Sequence, residues 1–273
     1  STHCISSAAS DVYKRQTDDL PEVIYAREYD AAISPNGNIP VHAFNLISPT
    51  FFANSSTGNK YSLWVNVYGV SERYLNVYGE KDLRAQMNQF FHRTYTHPVD
   101  GTTLDMKMLC NWYWYDETAI LETGKGTKDW NFYRYAETLL SAAEAIAQSS
   151  GVNAEAAGYL AQVKARANME GKDVSTIASE LQRLGKQAFI EECWKERLRE
   201  FPLEMKIWDD CVRTGKFPQI SATNKGEVQF VDLIGAKNGS GATFKATDLY
   251  WPIPVNEIQR NPNLTQNEGY SAK

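Results

Sequence analysis

The chain has 273 residues, which is enough for one large domain or two modest ones with a full hydrophobic core. Its formal net charge is −5, and the basic residues are interleaved with acids, which excludes an extended basic surface for nucleic acid. Aromatic residues are unusually frequent, with 7 Trp, 15 Tyr and 11 Phe, and such side chains either fill a core or stack on flat ligands.

Sequence motifs for common catalytic and cofactor chemistry are missing. The chain has no P-loop, no GxGxxG that opens a helix and no GxSxG. The four cysteines, Cys4, Cys110, Cys193 and Cys211, lack CxxC spacing and are interpreted as small buried hydrophobes. No run of eighteen apolar residues occurs. We therefore predict no catalytic residue, no cofactor and no metal site.

The first segment, STHCISSAASDVYKRQ, is unlike the rest of the chain. It lacks the basic and then apolar pattern of a secretion signal, and it resembles translated junction sequence. We expect residues 1–16 to be a non-native, disordered leader and leave them out of the fold prediction.

Residues 17 to about 128 are irregular, with short apolar runs between turn-forming stretches such as PNGN and NSSTGNK. EVIYAREYD, at 22–30, is interpreted as a short extended segment. LRAQMNQFFHRTY, at 83–95, fits a helix or a strand, and YSLWVNVYG, at 61–69, fits a strand or a loop.

A helical pattern begins at about residue 129. One apolar face is predicted from Phe132, Tyr135, Ala136, Leu139, Leu140, Ala143 and Ile146, and Ser149-Ser150-Gly151 ends this helix. Asn153 is a candidate N-cap for the next helix, whose stripe is Ala156, Leu160, Val163 and Ala167. The short connection predicts that the two helices pack as an antiparallel hairpin.

A third, longer helix is predicted at roughly 175–200. Its apolar stripe is Ile177, Leu181, Leu184, Ala188, Trp194, Leu198 and Phe201. Acidic and basic residues alternate on the other face, which is typical of a solvated, ion-paired surface. Pro202 ends this helix, a short helix follows as far as Gly215, and 216–248 is interpreted as loop.

The chain closes with WPIPVNEIQRNPNLTQNEGY, residues 251–270. Three prolines and four asparagines prevent a continuous helix, yet the apolar content is too high for a disordered end. We expect an ordered tail in which Pro252 and Pro254 preset extended backbone and Asn261 and Asn267 form turns or caps.

The order of these segments is distinctive. The four that carry it are NFYRYAETLLSAAEAIAQ (131–148), YLAQVKARAN (159–168), EECWKERLREFPLEMKIWDDCVRTGK (191–216) and LYWPIPVNEIQRNPNLTQNEGY (249–270). In this order they resemble the C-terminal half of the SusD/RagB family of outer-membrane nutrient-binding lipoproteins. Family members are about twice as long, so the chain is interpreted as a truncated C-terminal piece.

The resemblance implies a mainly α fold: a SusD-like, tetratricopeptide-like helical body with long irregular loops and few short strands. We expect a single domain over 17–273. Within it, 17–128 is the loop-rich ligand face, 129–215 the helical core, and 216–273 a loop and a tail that packs back on the helices.

The resemblance also implies a function. Family members bind glycans on the extracellular face of the outer membrane and deliver them to a SusC-like TonB-dependent transporter, without catalysis. A lipid anchor is expected only in the full-length parent. A peptide-binding RagB-like receptor and a helical protein-interaction scaffold remain alternatives. A glycosidase is disfavoured because the acid pairs Asp116–Glu117 and Asp209–Asp210 are adjacent and do not face each other.

A glycan site needs aromatic faces for the sugar C–H surface, and loops carry such sites more often than scaffolds do. The predicted aromatic platform is Phe51, Phe52, Tyr61, Trp64, Tyr68, Trp112 and Trp114, with Tyr113 and Tyr115 as neighbours. If that segment is extended, the alternation of side chains places Trp112 and Trp114 on the same face of it. The sequence leaves open the ligand, metal use, the disulfide state of Cys110, Cys193 and Cys211, and binding by this chain alone.

Overall fold

The computed structural model describes residues 21–29, 70–98, 101–116 and 128–271. The leader and five residues of the predicted platform, Phe51, Phe52, Tyr61, Trp64 and Tyr68, lie outside these ranges. The described residues divide into two compact units. The first runs to Met205 and includes Ile220–Glu227, and the second comprises Lys206–Gln219 and the chain from Val228 onward.

Most of the regular structure is helical. The helices are α1 (Tyr135–Ser150), α2 (Ala154–Arg166), α3 (Val174–Leu181), α4 (Lys186–Glu200), α5 (Ile207–Thr214) and α6 (Val255–Arg260). The strands are β1 (Val23–Arg27), β2 (Phe91–Thr96), β3 (Thr103–Asn111), β4 (Trp130–Arg134), β5 (Lys216–Ile220) and β6 (Val228–Asp232). Short 3₁₀ turns occupy Glu72–Val77, Leu83–Ala85 and Ala246–Leu249. The predicted fold class, mainly α with a few short strands, is confirmed.

The core of the first unit lies between helices. α1 packs against α2 and α4, and α2 packs against α3. Small and branched side chains interdigitate there: Ala136, Leu140, Ala143, Ala147, Ala157, Leu160, Ala161, Phe189, Ile190 and Cys193 are among the buried residues. The three- and four-residue spacing in α1 and α2 thus predicted which faces are buried.

The start of α1 differs from the prediction. Phe132 belongs to β4, where it is 40% exposed and stacks on Tyr25 with ring centres 5.2 Å apart, and Tyr135 is also exposed. β4 pairs antiparallel with β1, and the Tyr135 N–H donates to the Glu22 carbonyl at 2.7 Å. Because these backbone groups are used by the sheet, the helix begins only at Tyr135.

The start of α2 agrees with the prediction. The Asn153 side chain accepts a hydrogen bond from the Ala156 N–H at 2.9 Å, as an N-cap should. Ala156, Leu160, Val163 and Ala167 are all buried.

The prediction of a single helix at 175–200 is wrong. The chain forms α3 and α4, separated at Gln182–Gly185, with Gly185 as the N-cap of α4. The break rotates the second helix, so Leu184 and Ala188 are exposed while Phe189 and Ile190 are buried. Burial of these two larger side chains outweighs the continuity of the local pattern.

The ambiguous segment at 83–95 contains a 3₁₀ turn and then a strand. β2 pairs antiparallel with β3, from Phe91 opposite Asn111 to Thr96 opposite Thr103. The register shifts between His92 and Thr94, which marks a bulge. The end of β3 therefore lies beside the start of β2.

The second unit contains structure that the sequence did not predict. The sequence predicts a loop over 216–248, but β5 and β6 lie in this segment and pair with each other. α5 ends at Gly215, whose φ of 66° is left-handed, and this predicted stop is confirmed. The rings of Trp208 and Phe217 lie 5.7 and 5.2 Å from that of Phe244 and form a small, partly exposed aromatic cluster.

The tail is ordered, as predicted, and includes α6. Asn267 donates from Nδ2 to the Trp251 carbonyl at 2.7 Å, and Asn261 accepts the Asn263 N–H at 3.1 Å. The expectation that the tail packs back on the helical core stays a prediction. Among the residues described, no helix is long and apolar enough to cross a membrane.

Candidate functional site

A tight turn directly after β3 brings two aromatic rings together. The Trp112 N–H donates to the Phe90 carbonyl at 2.7 Å, and the Tyr115 N–H donates to the Trp112 carbonyl at 3.0 Å. This turn stacks the Tyr115 ring on the Trp112 ring, with centres 4.0 Å apart and planes 10° apart. Both side chains are half-buried, so each retains solvent-accessible surface.

Two residues of β2 support this pair. The His92 ring lies 4.8 Å and the Tyr95 ring 6.3 Å from the Trp112 ring. The Tyr95 and Tyr115 hydroxyls are 3.2 Å apart, within hydrogen-bond distance. We call Trp112, Tyr115, His92 and Tyr95 the β-turn platform. Its stacked rings are held in place before any ligand arrives.

Trp114 lies elsewhere. It is 5% exposed, its ring stacks on Trp130 at 4.9 Å, and its Nε1–H donates to the Leu203 carbonyl at 3.2 Å. The N–H groups of Trp112 and Tyr113 both point to the Phe90 carbonyl, so the segment is a turn and not an extended strand. The condition for Trp112 and Trp114 to share one side is therefore not met.

His92 and Tyr95 were not candidates in the sequence. Residues three apart in a strand belong to opposite faces by simple alternation. The bulge between His92 and Thr94 breaks that alternation and lets both rings approach Trp112. A period-two pattern could not have found this pair.

A buried lysine lies against the same turn. Lys128 Nζ donates to the Tyr113 carbonyl and lies 5.0 Å from the centre of the Tyr113 ring. Burial lowers the pKa of Lys128 to about 7, while the charges of Asp116 and Glu204 oppose that shift. The lysine ties the turn to the start of β4.

The acids of α4 form a buried network and not the predicted solvated surface. Glu196, Arg199 and Glu200 are buried, and only their pairing with opposite charges was anticipated correctly. Burial in a low-dielectric interior is tolerated because each charge meets several partners. The sequence pattern could not reveal those partners, which come from distant segments.

Arg84 and Arg134 are the centres of this network. Arg84 lies 2.9 Å from both Glu196 and Glu200. Burial would raise the pKa of Glu196, but the charges of Arg84, Lys164 and Arg199 hold it well below its usual range. Burial alone would also raise the pKa of Glu200. The positive charges of Arg166, Arg134 and Arg84 outweigh that effect, so the pKa of Glu200 is lowered. These carboxylates are ionised structural groups and not proton donors for catalysis.

A polar cavity of about 520 Å³ lies beside this network. Arg84, Lys164, Asn168, Glu196 and Arg199 are among its lining residues, and the lining contains no aromatic ring. Arg84, Lys164 and Arg199 are already ion-paired within the protein. The cavity is therefore a weaker candidate for sugar stacking than the β-turn platform.

Of the two acid pairs considered for hydrolysis, the structure describes Asp116, Asp209 and Asp210. Asp210 pairs with Arg213 at 3.2 Å, and Asp116 is buried, while Glu117 lies outside the described residues. Within the described ranges, no group of three or more His, Cys, Asp or Glu side chains is placed to hold a metal ion. Cys110, Cys193 and Cys211 are buried thiols.

Comparison with known proteins points to one family. The family model described as the SusD family matches residues 52–270 of the chain. The chain is 36% identical over 138 residues to the starch-binding protein SusD of Bacteroides thetaiotaomicron. The aligned segment covers 50% of this chain and 21% of that protein.

Solved structures share the fold. A SusD superfamily protein from Parabacteroides distasonis matches with a TM-score of 0.73 and 28% identity, over 93% of this chain and 51% of that one. Surface glycan-binding protein A from Bacteroides thetaiotaomicron, in complex with laminarihexaose, matches with a TM-score of 0.58 and 18% identity, over 90% of this chain and 52% of that one. The chain thus spans about half the length of these solved structures.

Proposed function

This chain belongs to the SusD family, and we propose that the protein binds oligosaccharides or polysaccharides at the outer face of the outer membrane. We further propose that it passes them to a SusC-like TonB-dependent transporter. Relatives whose names state starch binding and glycan binding support the ligand class.

The observation that carries the proposal is the β-turn platform. Trp112 and Tyr115 are stacked 4.0 Å apart and half-buried. Trp112 and Tyr115 cover each other's facing sides, so a pyranose ring packs its C–H face on the side of the stack that is open to solvent. Stiff, pre-positioned rings lose little conformational entropy when it does so. Of the predicted platform residues that the structure describes, Trp112 is the one that we retain, with Tyr115 beside it.

We propose that the protein acts by binding and not by catalysis. The relatives described above are named as binding proteins. Glu196 and Glu200, the acids that a hydrolase could have used, form buried ion pairs with Arg84. A glycosidase needs one carboxyl group that stays protonated near neutral pH and a second that is ionised across a cleft.

The expected affinity is modest. Two stacked rings contribute about 1 kcal/mol each, and a few hydrogen bonds add about 1 kcal/mol each. A total of about 5–6 kcal/mol corresponds to a Kd of roughly 0.1 mM. Capture at this strength allows release to a transporter.

The test is native affinity electrophoresis in gels that contain soluble starch or laminarin. We expect the wild-type chain to be retarded by at least one polysaccharide. Trp112→Ala should weaken that retardation at least about fivefold, since the loss of 1 kcal/mol changes Kd by about that factor. Tyr133→Ala is the matched control, because Tyr133 is an aromatic residue of the same unit that is 54% exposed on β4.

Circular dichroism melting curves of both variants check that the fold is retained. Wild-type protein that migrates equally with and without every polysaccharide of a wider panel would overturn the proposal. Co-purification with a transporter together with that result would favour the helical scaffold, and peptide binding by the same chain would favour the RagB-like alternative.

A further inference from the structure

A hairpin over residues 235–244 of the second unit holds one asparagine at its tip. The Asn238 N–H donates to the Ala242 carbonyl at 2.9 Å and closes the turn. The side-chain oxygen of Asn238 accepts the N–H groups of Ser240 and Ala242 at 3.1 and 2.9 Å, and the Ser240 hydroxyl at 2.8 Å. Three donors therefore point at one amide carbonyl.

These donors determine how the Asn238 side chain can react. A backbone N–H needs an acceptor, so the oxygen of the side-chain amide, and not its nitrogen, faces the turn. Donors aimed at a carbonyl oxygen stabilise the negative charge that develops on it when a nucleophile adds to the carbonyl carbon. The Cγ atom of Asn238 is therefore activated as an electrophile.

A nucleophile for this carbon belongs to the next residue, Gly239. Gly239 is exposed, and its N–H donates to no atom in the part of the chain that the structure describes. Because glycine has no side chain, it neither shields its own nitrogen nor restricts the rotation that brings the nitrogen to Cγ. A Cβ placed at Gly239 would meet no atom within 4 Å, so this part of the turn is open.

Asn168 has similar hydrogen bonds but lacks the nucleophile. Its side-chain oxygen accepts the N–H groups of Glu170 and Lys172 at 2.8 and 3.3 Å. The nitrogen that follows it belongs to Met169, and the Met169 N–H donates to the Lys81 carbonyl at 2.9 Å. This nitrogen is held in a hydrogen bond and shielded by a side chain, so Asn168 is an internal control.

We propose that Asn238 is a site of spontaneous deamidation. The Gly239 nitrogen loses its proton to hydroxide and forms a bond to Asn238 Cγ. The bond from Cγ to the side-chain nitrogen breaks, and that nitrogen takes a proton from water and leaves as ammonia. Water then opens the five-membered succinimide at either carbonyl carbon, which gives aspartate or isoaspartate. The net reaction consumes water and releases ammonia, and it does not depend on glycan binding.

Isoaspartate changes the hairpin. It routes the main chain through the side-chain carbon, so the backbone of the tip is longer by one carbon atom and the pairing across it loses register. Phe244 lies on the returning arm, where its N–H donates to the Ala236 carbonyl at 2.9 Å. The Phe244 ring contacts the rings of Trp208 and Phe217. Formation of isoaspartate therefore loosens this aromatic cluster as the protein ages.

The experiment incubates the folded chain at physiological temperature for several weeks, at pH 7 and pH 9. Glu-C digestion at mildly acidic pH releases residues 228–257, and electron-transfer mass spectrometry locates the new acid and distinguishes isoaspartate from aspartate. We expect Asn238 to convert, faster at pH 9 because the attacking nitrogen must lose its proton. Asn168 should stay intact, and so should Asn261, because Pro262 follows it and has no N–H.

Gly239→Ala is the matched variant, since a Cβ fits at this position. It should keep the melting temperature of the wild type and slow conversion of Asn238 at least about tenfold, because the methyl group shields the nitrogen and restricts its rotation. Equal rates in Gly239→Ala and the wild type would contradict attack by the Gly239 nitrogen.

Two further comparisons test the role of the folded hairpin. An Asn238 that stays intact in the folded chain but converts in the urea-unfolded chain would show that the hairpin protects it, and the inference would be overturned. Hydrogen exchange of the Phe244 amide should be faster in the aged isoaspartate fraction than in fresh protein. Unchanged exchange would contradict the loosening of the aromatic cluster.

Discussion

Arg134 joins three separate segments of the first unit. Its guanidinium contacts Glu22 before β1 at 2.6 Å, Glu200 at the end of α4 at 3.0 Å, and Glu204 at 2.6 Å. The side chain is only 1% exposed. The cation therefore fixes the end of α4 to the β1–β4 sheet while it neutralises the buried carboxylates of Glu200 and Glu204.

Arg134→Met should destabilise the protein by roughly 3–5 kcal/mol, since it leaves buried carboxylates uncompensated. The measurement is urea unfolding followed by fluorescence. Arg93→Met is the control because the Arg93–Glu72 pair, with an N–O distance of 2.5 Å, is exposed to solvent. Its cost should stay below about 1 kcal/mol. Equal losses in the two variants would contradict this account of the network.

Lys128 gives a pH-dependent prediction. Burial lowers its pKa to about 7 from an ordinary 10.5, so the unfolded chain binds more protons between these values. The contribution of Lys128 to the free energy of unfolding therefore increases as the pH rises from about 7 towards 10.5. The charges of Asp116 and Glu204 act on it in the opposite direction and do not cancel the shift.

In Lys128→Met this contribution is absent. We expect the wild type to gain stability relative to Lys128→Met between pH 7 and pH 9. Comparing the two proteins at each pH removes the contribution of the other titrating groups, which both share. Urea unfolding at both pH values measures it. A difference that does not change with pH would mean that Lys128 is not held in a low-pKa environment.

At the scale of elements, two helices of the first unit, α2 and α3, are stabilised by side-chain caps at their N-termini. Asn153 caps α2, and Asp173 caps α3 by accepting the Thr176 N–H at 2.8 Å. Each cap satisfies a backbone donor that the helix itself cannot pair. These caps occur where short loops turn the chain between packed helices.

Asn153→Ala should cost about 1 kcal/mol of stability, because the Ala156 N–H loses its partner. Asn153→Ser is the control, since serine caps nearly as well as asparagine. Thermal unfolding should separate the two variants by several degrees. The prediction is wrong if serine and alanine have the same effect.

The tail requires glycine at position 269. Gly269 has a φ of +84°, and a Cβ there would lie 2.1 Å from Thr247 Cγ2. Gly269 precedes Tyr270, whose hydroxyl donates to the Thr247 and Tyr250 carbonyls at 2.8 Å each. Any larger residue must displace either the backbone or Thr247.

Gly269→Ala should destabilise the second unit by about 1–3 kcal/mol through left-handed strain and this clash. Gly239→Ala is the matched control, since a Cβ at Gly239 meets no atom within 4 Å. Hydrogen exchange of the tail amides, read by mass spectrometry, should be faster in the Gly269 variant alone. Unchanged exchange would show that the tail tolerates the side chain.

At the scale of the whole molecule, the buried charges predict sensitivity to acid. Burial raises the pKa of Glu192, Glu196 and Glu200, but cationic neighbours lower each by more. A depressed carboxyl pKa contributes stability that is present above about 4.5 and is lost as the pH falls through the folded-state value. Burial raises the pKa of Glu204, so the contribution of Glu204 to stability increases as the pH falls.

Among the buried carboxyl groups that the structure describes, the lowered pKa values of Glu192, Glu196 and Glu200 outweigh the raised pKa of Glu204, so acid should destabilise the protein. We expect the melting temperature to fall progressively below pH 4.5, and Glu196→Gln to flatten that dependence while it lowers stability at pH 7. Calorimetry or circular dichroism at pH 7, 5, 4 and 3 measures both effects. A melting temperature that rises on acidification would contradict the direction of these shifts.

Sequence reasoning succeeded for features that depend on neighbours along the chain. The apolar spacing within α1 and α2, the Asn153 cap and the stop at Gly215 all follow from local backbone geometry. It failed where a partner element overrode the pattern, as at Phe132 in β4 and at the break before α4. For the site, it proposed Trp112 but could not separate Trp112 from Trp114.

The order of four segments along the chain indicated the family by resemblance and, with it, the mainly helical fold. The positions of helix faces, caps and stops could be predicted from the sequence because they are local properties. Tertiary structure alone decided which aromatic rings are open. Trp114 is buried against Trp130 and Leu203, whereas Trp251 is exposed, and Asn267, sixteen positions away, donates to its carbonyl. It also decided that the charges of α4 are buried, since Arg84 and Arg134 approach them from distant segments. Such contacts are set by packing between remote residues and not by the pattern within any one segment.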